Sequence, residues 1–125
     1  MINRNLYQQI QSKLFSGKAI ILTGPRQTGK TTLLKSICEG REDVLWLNGD
    51  DIETRILLED VTTSKWQRII GKNKIVVLDE AQRIQDIGLK LKLVTDQIPD
   101  VQLVASGSSA FELANQVNEP LTGRK

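Results

Sequence analysis

Apolar residues return at every fourth position where the chain opens. Ile2, Leu6, Ile10 and Leu14, with Tyr7 beside them, draw one stripe along a helix. Packing against a sheet is the expected use of that stripe. Ser16-Gly17 interrupts it, and residues 18–23 form a first apolar strand. Helical character returns over Thr32-Leu33-Leu34-Lys35-Ser36-Ile37. Glu39-Gly40-Arg41-Glu42-Asp43 is a turn, and Val44-Leu45-Trp46-Leu47 is a short second strand ended by Asn48-Gly49-Asp50. Asp50 and Glu53 have capping-box spacing, which predicts a helix through about Leu58. A further helix from about Thr63 to Ile70 gathers Trp66, Ile69 and Ile70, and Gly71-Lys72-Asn73 breaks it.

Ile75-Val76-Val77-Leu78 is an unbroken, β-branched apolar run, the pattern of a strand covered on both faces. Ile87, Leu91, Val94 and Ile98 predict a helix over 87–98, and Val101-Gln102-Leu103-Val104-Ala105 reads as a fourth strand. Ser109 and Glu112 form another capping box, opening a helix that carries Phe111, Ala114 and Val117. Strands alternating with helices predict an α/β fold with a parallel sheet and right-handed crossovers. Ligands of such folds bind beyond the carboxyl ends of the strands.

Composition narrows the chemistry. A chain of 125 residues builds one small domain. Its 17 basic and 15 acidic residues leave a net charge of +2 with no basic run, so nucleic-acid binding is not indicated. Aromatics make up only 4%, too few for a base-stacking platform. The absence of histidine excludes His-dependent triads and His-based zinc sites. Cys38 is the sole cysteine, which rules out an internal disulfide; its position on the apolar side of a helix predicts a buried core thiol. No apolar stretch approaches the ~18–20 residues of a membrane span, and no signal-peptide segment is evident. A cytoplasmic protein without a membrane role is expected.

Between the first strand and the next helix stands Gly24-Pro25-Arg26-Gln27-Thr28-Gly29-Lys30-Thr31. This is G-x-x-x-x-G-K-[ST], the Walker A phosphate loop, in the strand–loop–helix setting that gives it meaning. Gly24 and Gly29 let the backbone curl and approach phosphate oxygens without a Cβ in the way. The N–H groups of residues 26 to 31 would form an anion nest at the positive end of the helix. Pro25 stiffens the turn, while Arg26, Gln27 and Thr28 fill positions that the motif leaves open. Lys30 supplies a mobile charge for the β- and γ-oxygens, and Thr31 a hydroxyl ligand for Mg²⁺. The expected nucleotide contacts therefore run from Gly24 through Thr32.

The apolar run 75–78 leads directly into Asp79-Glu80, a Walker B pattern. Asp79 would share the Mg²⁺ shell with Thr31. Glu80 is placed to polarise a water for in-line attack on a γ-phosphate, which favours hydrolysis over transfer to a metabolite. GTPase signatures are missing: residues 79–82 are Asp-Glu-Ala-Gln without the glycine of DxxG, and residues 73–76 are Asn-Lys-Ile-Val without the aspartate of NKxD. ATP is the expected nucleotide.

Taken together, these motifs resemble the AAA+ superfamily of P-loop ATPases. More narrowly, they resemble a group of predicted bacterial and archaeal ATPases marked by Gly-Pro-Arg-Gln-x-Gly-Lys-Thr, Leu-Asp-Glu-x-Gln, a Gly-Ser-Ser turn and Leu-x-Gly-Arg. These fall at residues 24–31, 78–82, 107–109 and 121–124. The resemblance implies a three-layer sandwich of about four parallel strands, with the fourth strand between the Walker A and Walker B strands. It implies a γ-phosphate sensor at that strand's tip, either Ser106 or Ser108. It also implies that Arg124 serves a neighbouring subunit's nucleotide, as a trans arginine in an AAA+-type oligomer. Gln82 matches the pattern without an assigned role. Members of the group continue into a fifth strand, a helical lid and a C-terminal domain. The chain is therefore expected to be a truncated core whose first-strand edge, residues 18–23, invites self-association. Three functions follow as expectations: ATP hydrolysis driving conformational change in a partner or appended domain, a nucleotide-gated switch with little turnover, or a DNA-associated ATPase acting through missing domains.

Overall fold

A computed structural model describes residues 4–15, 19–23 and 30–107. Its elements run in the order α1 (Arg4–Lys13), β1 (Ile20–Thr23), α2 (Lys30–Cys38), β2 (Val44–Asn48), α3 (Ile52–Leu57), α4 (Thr63–Ile70), β3 (Ile75–Asp79), a 3-10 turn (Ala81–Arg83), α5 (Ile87–Gln97) and β4 (Gln102–Gly107). The predicted alternation is realised as a four-stranded sheet in the order β1-β4-β3-β2. Every pairing is parallel. The fourth strand does lie between the first and third. The helix anticipated from Ser109 lies outside the described residues.

Period-two alternation divides the strands between two cores. Ile20, Leu22, Ile75, Val77 and Val104 face α1 and α2, where Ile10, Leu33, Leu34 and Ile37 meet them. Ile21, Leu47, Val76, Leu78, Leu103 and Ala105 face the opposite layer, built from Leu58, Val61, Trp66, Ile70, Ile87, Leu91 and Val94. β3 and β4 are buried at every position, as strands sandwiched between helix layers must be. The α1 stripe is thus a packing stripe, with Ile10 fully buried and Leu14 against the same cluster.

Two local expectations are corrected. The cap of α3 is Asp51, not Asp50: an Asp51 carboxylate oxygen accepts the Glu53 N–H at 3.1 Å. Asp50 instead closes the turn that leaves β2, its N–H donating to the Asn48 side chain. Cys38 is half-buried against the α1–α2 core, because the chain turns outward through Gly40 just beyond it. That partial burial still pushes its thiol pKa up.

Strand ends also shift. β1 begins at Ile20, and β4 extends through Ser106 to Gly107. Among the described residues, β1 has a strand on one side only.

Trp66 anchors the outer layer. It is fully buried, and its indole N–H donates to the Lys90 carbonyl of α5 at 3.1 Å. Trp66→Ala removes both the packing and that tie between α4 and α5. Urea unfolding should show a loss of about 3–5 kcal/mol, a large part of the ~5–15 kcal/mol typical of a domain.

Candidate active site

The same alternation that builds the core builds the site. Ile75 and Val77 face α2, so Asp79, two residues on, turns to that side. Val104 faces α2 as well, which brings Ser106 alongside Asp79. Thr31 lies in the first turn of α2, above the same strand ends. The three side chains meet. The Thr31 hydroxyl donates to Asp79 Oδ2 at 2.7 Å, and the Ser106 hydroxyl donates to Asp79 Oδ1 at 2.5 Å. A third donor, the Glu80 N–H, reaches Asp79 Oδ1 at 3.0 Å. Asp79 is only 3% exposed and Ser106 is 0% exposed. An ionised carboxylate only accepts, so each of these groups must donate, and the burial is compensated.

Glu80 leaves the strand in the left-handed region, with φ 53° and ψ 46°. Such a conformation costs a non-glycine residue roughly 1–3 kcal/mol and is kept only where its surroundings enforce it. They do so here. Its carbonyl accepts the Arg83 N–H at 3.1 Å, and the Gln82 amide donates to Glu80 Oε1 at 3.0 Å. Glu80 is itself only 9% exposed.

Gly49 was not identified from the sequence as part of the site, yet it borders it directly. Its N–H donates to the Asp79 carbonyl at 2.7 Å. A Cβ at this position would lie 2.1 Å from the Glu80 carbonyl oxygen. Only glycine lets the β2 tip and the turn after β3 approach this closely. A glycine directly after a strand was visible, but it read simply as the strand's end.

The described residues thus unite Thr31, Asp79, Glu80 and Ser106. Thr32 sits exposed on α2 beside Thr31. Lys30 opens α2. Gly24, Pro25, Arg26, Gln27, Thr28, Gly29, Ser108 and Arg124 lie outside the described residues.

A family model described as an AAA domain matches residues 16–125. The chain belongs to the AAA domain family. It is a P-loop domain of the nucleotide-binding, ATPase type, as its motifs predicted. Two curated relatives, an uncharacterized protein of Mycobacterium tuberculosis and one of Mycobacterium bovis, are each 25% identical over 122 residues. Those alignments cover 97% of this AAA chain and 26% of each relative, so the chain spans about a quarter of their length. The fold is similar to a chain in the structure of Drosophila ORC bound to DNA, with a TM-score of 0.60 and 17% identity, covering 91% of this chain and 79% of that one. A chain from Drosophila ORC bound to AT-rich DNA and Cdc6 gives a TM-score of 0.57 and 18% identity, covering 91% and 48%. These likenesses agree with the observed α/β sandwich.

Gly49→Ala should force the β2 tip and the Glu80 turn apart. Overpacking of this kind costs typically ~1–3 kcal/mol. Urea denaturation should report that loss; unchanged stability would mean that the two turns separate freely.

Proposed function

We propose that this AAA domain binds ATP with Mg²⁺ and hydrolyses it, with turnover driving conformational change in an appended domain or partner. The observation that carries the proposal is the Asp79 carboxylate, held by Thr31 on one oxygen and Ser106 on the other, with Glu80 next in the chain. A hydroxyl and a carboxylate oxygen are hard donors that suit Mg²⁺, which binds through one or two carboxylates plus substrate phosphates. Thr31 and Asp79 would hold the ion. When bound, Mg²⁺ neutralises charge on the β- and γ-phosphate oxygens.

The remaining roles belong to the chain's own residues. Residues 24–31 cradle the phosphates through backbone N–H groups, and Lys30 adds a positive charge. Glu80 orients the attacking water. The water oxygen bonds to the γ-phosphorus as the bond to the β–γ bridging oxygen breaks. ADP leaves with that electron pair. Glu80 takes the water's proton and returns it to the phosphate product. Ser106 is the sensor of choice over Ser108 because its hydroxyl already reaches Asp79 at 2.5 Å. Arg124 is assigned to a neighbouring subunit's nucleotide.

Self-association through the β1 edge belongs to the same proposal. Sedimentation should show a concentration-dependent dimer, and a monomer at all concentrations would reject it.

ATP with Mg²⁺ should raise the Tm of the wild type by mass action. Lys30→Ala should abolish that shift; a shift of equal size in the variant would overturn the phosphate-loop assignment. Glu80→Gln should keep the Tm shift and lose turnover by ~10²–10⁴-fold, the usual worth of a positioned acid or base. Turnover equal to wild type would remove Glu80 from the mechanism.

A further inference from the structure

The backbone of Glu80 is fixed from several directions. Its N–H donates to Asp79 Oδ1, its carbonyl accepts from the Arg83 N–H, and Gly49 closes against that same carbonyl. What the backbone does not fix is the side chain. The terminal torsion of a glutamate is broad and roughly two-fold, so hydrogen bonds decide the orientation of its carboxylate. Water activation requires one orientation.

Gln82 addresses this torsion. It sits in the 3-10 turn, half-buried, two residues beyond Glu80. The tight turn brings its side chain back over Glu80, and Nε2 meets Oε1 at 3.0 Å. A carboxylate offers only acceptors, so the amide nitrogen of Gln82, not its oxygen, must face it. Hydrogen bonds to charged groups are stronger than those between neutral ones, so this contact selects one orientation over its competitors. The donor is neutral, so it orients the carboxylate without cancelling its charge.

We propose that Gln82 is a positioning residue, setting the orientation from which the Glu80 carboxylate polarises the attacking water. The inference rests on the ATP-hydrolase reading above. It concerns the reacting geometry, since the donor meets the carboxylate of Glu80 itself.

The test uses Gln82→Leu, which removes the donor, and Gln82→Glu, which keeps the shape and replaces the donor with an acceptor. Single-turnover ATP hydrolysis, affinity for a fluorescent ATP analogue and Tm are measured for each. Turnover should fall ~10–100-fold, the scale of a misplaced catalytic group, with affinity within about twofold of wild type and thermal unfolding still a single cooperative transition. In a Glu80→Gln background, Gln82→Leu should cause no further loss, since the two residues act as one unit. The bond can also be read without catalysis: the Gln82 side-chain amide resonances in a ¹⁵N spectrum should move on Glu80→Ala. An active wild type whose Gln82→Leu variant turns over at the same rate overturns the inference and spares the hydrolase reading. So do losses that add fully across the double variant, or amide resonances that ignore Glu80→Ala. A wild type that binds ATP without hydrolysing it overturns the hydrolase reading, and the inference with it.

Discussion

The rest of the site depends on one buried carboxylate. Asp79 is removed from water and must collect its hydrogen bonds from the protein, since an unpaired buried charge is far too costly to keep. Its donors come from three places: the start of α2, the tip of β4 and the backbone directly after β3. Thr31 is 48 residues from Asp79 and Ser106 is 27 residues from it in sequence. Neither is close unless the sheet has the order β1-β4-β3-β2. The last strand must enter between the first and the third before Ser106 meets Asp79. A hydroxyl–carboxylate pair at the strand ends is therefore a consequence of topology. Any register slip of β4 by one residue would turn Ser106 to the opposite face and put an apolar neighbour in its place.

Much of this was legible in the chain. Parallel strands buried on both faces announce themselves by continuous apolar runs, and Ile75–Leu78 does so without ambiguity. The strand before residues 24–31, the helix after them and the acid at the end of β3 follow from local order. What stayed hidden was set by distance and by turn geometry. Ser106 and Ser108 are equivalent in sequence, and only the extension of β4 through Gly107 places Ser106 inside the strand with a defined face. Asp50 and Asp51 both suit a helix start. The Asn48 side chain claims the Asp50 N–H, and the cap moves one residue on. Cys38 has core periodicity but lies at the last turn of α2, where the chain already bends towards solvent. Gly49 read only as a strand end, because its requirement arises from a carbonyl 31 positions further along the chain.

The β2 tip shows which forces hold the turn after β3. Arg83 approaches Asp50 at 3.6 Å, with both side chains partly exposed to solvent. An exposed pair of this kind contributes ~0–1 kcal/mol and is screened by salt. It cannot enforce a left-handed glutamate that costs roughly 1–3 kcal/mol. The backbone bond from Gly49 to the Asp79 carbonyl, the bond from Glu80 N–H to Asp79 and the lack of clearance above Gly49 together can. Arg55 of α3 adds a bond to the Gly49 carbonyl at 2.8 Å, which holds the glycine peptide in place from the far side.

This division of labour explains why orientation of the Glu80 carboxylate falls to a side chain. With its backbone held by Asp79, Gly49 and Arg83, Glu80 cannot reposition its carboxylate by moving the main chain. Its only soft coordinates are its own torsions. A partner on a distant element would have to match both the strained turn and the sheet. A residue inside the 3-10 turn moves with Glu80, so its contact survives small shifts of the surrounding layers. Gln82 is that residue: the turn which strains Glu80 also brings its amide into reach. The left-handed residue and its amide partner are thus two parts of one local structure, and the cost of the first secures the placement of the second.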